Sequence, residues 1–267
     1  MNYIWQVIKE LVGHIGLIYK LSLYEIKSKY KMHYLGIFWQ FLNPAFQIGI
    51  FWFVFGLGIR GGEPVGEIPF FLWFIVAMVP WLFISSSIIQ GTSSIHSQIG
   101  LVSKMKFPMS TLPAIKIMVN SFAFILMLLF VLLIATFRGF FPGYYLLQLP
   151  YYLVALYTLI YGLSLLLATL STIVRDVQLL TQSVIRVMRF LLPIFWIVDK
   201  LPQFWVTALK LSPFYYLIQG FRDTLLGQGW FFDDLIYTFY FWAVSILILL
   251  LGSYMHLKFR SKLIDYL

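Results

Sequence analysis

Five stretches of the chain, residues 36–59, 68–90, 117–137, 144–172 and 235–255, each run for at least 21 residues without an Asp, Glu, Lys, Arg or His. About 20 apolar residues at a 1.5 Å rise cross a hydrocarbon core of about 30 Å, so each run can span a bilayer as a helix. None carries the polar face that a helix on a soluble core turns to water. The pattern predicts an all-α polytopic membrane protein. Composition agrees, with 61% hydrophobic, 20% aromatic and 11% charged residues among 267, against roughly 25% charged in soluble domains.

Residues 1–35 lack a compact apolar stretch followed by small residues, so no secretory signal is expected there. Ile4, Ile8, Leu11, Ile15 and Ile18 recur at helical spacing, with Gln6, Lys9, Gly13 and Lys20 elsewhere, and Lys27, Lys29 and Lys31 follow. This predicts an amphipathic helix on the membrane surface, serving as a lipid anchor, a docking element for a partner protein, or both.

A sixth span is expected over 179–199, although it contains Arg186 and Arg189. Without it, Lys258, Arg260 and Lys262 would lie across the membrane from the basic N-terminus, against the positive-inside rule. With six spans and both termini inside, the inner segments hold fourteen Lys and Arg against four acids, and the outer segments five against six. The resulting +10 and −1 make up the net charge of +9. Membrane orientation explains the basic balance, and no nucleic-acid partner is implied.

Two connections stand out. The inner segment 91–111, GTSSIHSQIGLVSKMKFPMST, predicts a short helix stopped at Phe107-Pro108. An exposed Met105 and Phe107 beside Lys104 and Lys106 would suit a knob entering a groove on another protein. An ordinary basic loop at the headgroups fits the same residues. The outer segment 199–234 is rich in aromatic residues, and Pro202, Pro213, Gly220, Gly227 and Gly229 divide it into pieces too short to span. These pieces are expected to be re-entrant or interfacial helices. Arg222 beside Asp223 is tolerable there at an interface, in a pair, or facing a wet cavity.

The stretches YLGIFWQFLNP (34–44), SKMKFPMSTLP (103–113), RDVQLL (175–180) and SPFYYLIQGFRDTLLG (212–227) together resemble the permease subunit of polysaccharide ABC exporters, most closely the wall teichoic acid translocation permeases. The resemblance covers nearly the whole chain. It implies a six-span homodimer in the bacterial cytoplasmic membrane, paired with two copies of a separate ATPase and exporting an undecaprenyl-linked polymer. It makes 1–35 an interface helix, 36–258 the permease domain and 259–267 a cytoplasmic tail. Gln98, Lys104, Met105, Lys106, Phe107 and Pro108 would belong to a coupling helix over about 98–108. Pro213, Arg222 and Asp223 would stand in external gate helices over about 201–226. No GxxxxGK[ST] phosphate loop occurs in the sequence, so ATP and magnesium are expected on the partner and no cofactor on this chain.

A polar polymer sliding through an uncharged bore can stack its sugar rings on aromatic faces without being trapped by charge. Trp73, Phe74, Trp81, Phe195, Trp196, Tyr215 and Tyr216 are candidates for that path, although Trp and Tyr also populate interfacial belts. Arg175, Arg186 and Arg189 are candidates to receive the anchor's phosphates, since an Arg fork binds phosphate in bidentate fashion. Other classes remain open: a related exporter of a drug or small lipid, an ion-coupled carrier, or a membrane enzyme acting on a lipid-linked sugar. Charge-free spans disfavour the carrier. The carboxylates and His14, His33, His96 and His256 show no convergent spacing for an enzyme. Asp233-Asp234 reads as a helix N-terminal charge pair, and the absence of cysteine removes thiol chemistry.

Overall fold

The computed structural model describes residues 2–31, 34–98, 107–198 and 201–260. Among them the chain is helical, apart from connecting segments and an isolated antiparallel pair, Val65 and Ile68. Five elements are long and apolar enough to cross a membrane: Gly36–Ile59, Phe70–Thr92, Thr111–Phe137, Gly143–Ile173 and Leu235–Phe259. They correspond to the five charge-free runs.

The expected N-terminal helix is two helices, α1 (Asn2–Gly13) and α2 (Ile15–Tyr30), broken at His14, whose Nδ1 bonds the Glu10 carbonyl at 2.8 Å. Their apolar stripe divides accordingly. Val7 and Ile18 are buried, whereas Ile8 and Ile15 remain exposed. α1 lies against the end of the last span: Tyr3 meets Tyr254 edge-on, and Glu10 accepts bonds from Ser110 Oγ and Arg260 Nη1. Burial alone would raise the Glu10 carboxyl; the Ser110 and Arg260 bonds and the Arg260 charge outweigh it and hold the group below its ordinary range. α2 is tied to the third long helix by Ser22 Oγ donating to the Ile115 carbonyl and by the Lys116–Glu25 ion pair.

The first span begins with a 3₁₀ turn (Gly36–Phe38), continues as α3 (Trp39–Phe51) and widens into a π-type stretch (Trp52–Ile59). Gly56 lets that stretch close on its neighbours, since a Cβ there would come within 2.9 Å of the Trp52 ring. α4 (Phe70–Thr92) occupies the centre of the bundle, with Phe74, Val76, Ala77, Met78, Trp81 and Ile84 fully enclosed. Around it pack α5 (Thr111–Phe137), α6 (Leu149–Ile173) and the shorter α7 (Asp176–Leu191) and α9 (Pro213–Leu226). Phe83 stacks on Phe124 at 4.4 Å, and Phe124 stands edge-on to Phe221 of α9. α10 (Leu235–Phe259) lies along α6, where a Cβ on Gly252 would fall 2.8 Å from the Gly162 carbonyl. Such small-residue contacts let helix backbones approach where lipid offers no hydrophobic drive. Some buried hydroxyls are met inside their own helices, as when Thr92 and Thr169 donate to the Ile88 and Leu165 carbonyls.

The sixth span differs from expectation. α7 has 16 residues, about 24 Å, and stops at Leu191; Leu192 is extended (φ −73°, ψ 150°) before Pro193. Proline removes a donor and bars its predecessor from helical geometry, so one continuous helix over 179–199 does not form. Leu192, Ile194 and Phe195 beyond the break are buried against the core. The outer pieces are α8 (Gln203–Lys210) and α9. α9 is inserted among α4, α5 and α6 rather than laid on the surface; ten of its residues are buried. A Cβ on Gly220 would run into the Tyr152 ring, and Gly227 closes the helix in the left-handed region at φ 67°.

Candidate functional site

Where α9 meets α4, α6 and the start of α10, the chain encloses a cavity of about 470 Å³. Its walls mix rings with hydrogen-bonding groups: Trp73, Tyr152, Tyr215, Tyr216, Trp230 and Tyr237 beside Gln219, Arg222, Asp223, Gln228 and Asp233. A connected set of hydroxyls fixes one wall. Tyr216 OH lies 2.7 Å from Tyr151 OH and 3.1 Å from Thr238 Oγ1; Trp242 Nε1 donates to Tyr151 OH, and Thr238 donates to the Phe231 carbonyl. Buried Gln148 secures the loop before α10, donating to the Gly229 carbonyl at 2.7 Å and accepting from Phe231 N–H at 3.0 Å. Asp233 accepts from Trp230 N–H, and Asp234 caps α10 by accepting from Tyr237 N–H.

Arg222 forms the floor and is 3% exposed. Its Nη2 donates to the Pro193 carbonyl at 2.8 Å, Nη1 to Gln219 Oε1, and the guanidinium lies 3.8 Å from the centre of the Trp73 ring. Nε has no partner. Burial lowers its pKa to about 10, with Asp223 opposing, so the cation persists at neutral pH. Among the described residues the salt bridges are Lys116–Glu25 and Arg260–Glu10; Arg222 and Asp223 are not paired. Asp223 Oδ1 accepts from Gln219 Nε2 at 2.8 Å instead. Of the three settings open to these neighbours, the cavity is the one they occupy. Burial pushes the Asp223 carboxyl up to about 6, Asp233 adding to it against Gln219 and Arg222.

The sequence-derived candidates fall into distinct places. Trp73, Tyr215, Tyr216, Arg222 and Asp223 come together at this cavity, and Pro213 opens α9 beneath it. Phe74 and Trp81 are enclosed in the core of a single chain. Phe195 is buried among Phe51, Phe55, Phe74 and Phe190, stacking on Phe55 at 4.5 Å. Trp196 donates to the Phe190 carbonyl. The three arginines do not converge: Arg175 precedes α7, about 21 Å along the axis from Arg189, and Arg186 bonds the Gln182 carbonyl at an exposed site. Arg189 is half-buried, 5.6 Å from the Phe51 ring centre, with Nε unpartnered.

Gln98 ends a 3₁₀ turn (His96–Gln98), and Lys104, Met105 and Lys106 lie outside the described residues. Phe107, expected to be exposed, is 9% exposed and packs with Ile18, Ile26, Leu112 and Ile115 in a second small core. The reason is steric: α2 covers the start of α5, and a benzyl group beside it fills the gap. Pro108 follows, its carbonyl accepting from Thr111 Oγ1. Sequence reasoning missed Gln148, Tyr151, Tyr152 and Thr238 at the cavity. An amide beside a predicted span end was a signal for Gln148; the tyrosines carried none beyond composition.

A bundle of apolar helices around a polar, aromatic cavity describes a polytopic membrane protein. Residues 17–226 match the model of the ABC-2 type transporter family, and the chain belongs to that family. It is therefore a transport permease and not an enzyme. Curated relatives include the O-antigen export system permease protein RfbA of Myxococcus xanthus, 27% identical over 191 residues covering 72% of each chain. A protein of the same name from Klebsiella pneumoniae is 23% identical over 237 residues, 88% of this chain and 90% of the relative.

Proposed function

We propose that this chain is the membrane-spanning subunit of an ATP-driven exporter that moves a lipid-linked cell-surface polymer, a teichoic acid or similar polysaccharide, out across the bacterial cytoplasmic membrane. The observation that carries the reading is the exposed side of the bundle. The first span and α7 turn Ile50, Phe53, Leu180, Val187 and Phe190 outward, while α7 bears a polar stripe of Gln178, Gln182, Arg186 and Arg189 at helical spacing. A stripe of that kind at membrane depth calls for a wet boundary. A second copy of the chain facing this side would enclose one, giving a homodimer with a passage between the protomers. The names of the relatives, O-antigen export permeases, support a polysaccharide cargo.

Six crossings follow in this reading, α7 and the irregular residues from Leu192 to Val198 together making the fifth. The end with α1, α2 and Arg260 faces the cytoplasm, in line with its lysines. Two copies of a separate ATPase dock there against α1 and the segment from Gln98 to Pro108; the sequence has no phosphate loop of its own. The cavity over Arg222 lies on the outer side and serves as the exit gate, its rings offering faces to sugars. Co-purification with the ATPase, followed by ATP-dependent movement of a lipid-linked polymer in proteoliposomes, tests the reading. A permease that transports at full rate without any ATPase refutes it.

A further inference from the structure

The surface of α1 divides by residue spacing. Val7 is buried against the bundle. Tyr3, Gln6 and Glu10, three and four residues apart, share a face that turns to the end of α10, where Tyr3 meets Tyr254 and Glu10 pairs with Arg260. Trp5, Ile8 and Val12, again three and four apart, form an exposed apolar stripe, with Trp5 at 70%. A helix polar on one flank and apolar on the other, with an outward Trp, suits the boundary between headgroups and acyl chains. Between the two contacts to α10 lies a groove of about 510 Å³, lined by Gln6 of α1 and by Leu257 and Lys258 of α10.

α10 meets this groove with an ordered stripe. Leu247, Leu251, Tyr254 and Lys258 recur at four, three and four residues and are exposed. Over about 16 Å the stripe passes from aliphatic to phenol to ammonium, the order in which a phospholipid presents acyl chain, glycerol and phosphate. Lys258 is held at the groove: its Nζ donates to Tyr254 OH at 3.3 Å and lies 5.4 Å from the centre of that ring. Arg260, the other cation of the lining, is already paired with Glu10. No carboxylate lines the groove, so among its described residues one positive charge stands uncompensated, and the ammonium of a zwitterionic headgroup finds no partner. We propose that the groove between α1 and α10 holds an anionic glycerophospholipid, its phosphodiester on Lys258, its headgroup hydroxyls on Gln6 and one acyl chain along Leu251 and Leu247. The lipid joins the N-terminal helix to the last span, in the cytoplasmic leaflet for the orientation given above, where basic residues draw anionic lipids. It is a resident component and not the cargo, so its presence does not depend on which polymer is exported.

The test uses the full chain in nanodiscs and two photoprobes with the same acyl-chain diazirine, a phosphatidylglycerol and a phosphatidylcholine, with labelled peptides mapped by mass spectrometry. Phosphatidylglycerol should label the stretch from Leu247 to Tyr254 at least fivefold more than phosphatidylcholine. Lys258→Gln should cut that labelling at least threefold and Gln6→Leu at least twofold. Labelling by phosphatidylcholine should stay within 1.5-fold in both variants, which shows that the site still folds, and Lys258→Arg should retain the preference. Lys20→Gln, at an exposed lysine of α2, should change nothing. Equal labelling by the two lipids, or equal loss in Lys20→Gln and Lys258→Gln, as a diffuse basic surface would give, overturns the proposal. Displacement of the probe by an equimolar polyprenyl phosphate also overturns it. Each of these failures leaves the export reading standing, since that reading is judged by ATP-dependent polymer movement.

Discussion

The first and second spans are alike in sequence, each a charge-free run of about 23 residues, yet one lies on the rim of the bundle and the other at its centre. Within its most apolar window, 89% of the second span is buried against 11% of the first. Hydropathy measures a helix's fitness for a non-aqueous setting and is blind to whether lipid, a second chain or the chain's own core provides it. What separates the two is the placement of polar groups. Ser85 and Ser86 of α4 donate to carbonyls of the preceding turn, whereas the amides at positions 43 and 47 of the first span have no such local outlet.

The sharpest way to break this contrast is truncation at the centre. Trp81→Ala, removing a fully enclosed indole, should cost about 3 to 5 kcal/mol and lower the thermal unfolding midpoint in detergent by many degrees. Gly252→Leu forces α10 off the α6 backbone; overpacking of this kind costs about 1 to 3 kcal/mol, read by the same midpoint. Arg222→Met leaves the Pro193 carbonyl unpaired, and a loss of about 1 to 3 kcal/mol is expected; Arg222→Lys should not restore it, since an ammonium cannot reproduce the fork. The Asp223 carboxyl, pushed up to about 6 from about 4 when exposed, holds its proton more tightly folded than unfolded. Stability should therefore fall as pH rises from about 4 through 6 and level off above, and Asp223→Asn should flatten that part of a midpoint-against-pH curve. Smallest of all, Phe53→Ala on the first span should move the midpoint by less than about 0.5 kcal/mol in equivalent terms; a loss as large as that of Trp81→Ala would erase the contrast.

The spans were legible because an uncharged run of 21 residues or more has few alternatives to crossing a bilayer. Their order around α4 was not, since that depends on contacts such as Gly162 with Gly252 that only the pairing of two helices reveals. The Pro193 break was written plainly in the chain, but charge bookkeeping across the whole segment outweighed a local rule. At the cavity, Tyr215, Tyr216, Arg222 and Asp223 could be found from an aromatic, proline-divided segment with charges in it. Gln148 offered only an amide near a span end and Thr238 no signal, because they act by closing hydrogen bonds with residues 81 and seven positions away. Burial of Phe107 means that a Phe107→Asp charge would enter the small core under α2 before it disturbed any partner.

The bond from Arg222 to the Pro193 carbonyl is in effect a tether. The carbonyl stands just beyond the end of α7, the guanidinium belongs to α9, and both are buried beneath the outer cavity. A shift of α7 along its axis by more than the slack in one hydrogen bond must either haul the floor of the outer cavity with it or strand a buried cation. The two elements are obliged to move as one body or to part at a definite threshold, which is how a latch behaves and a spring does not.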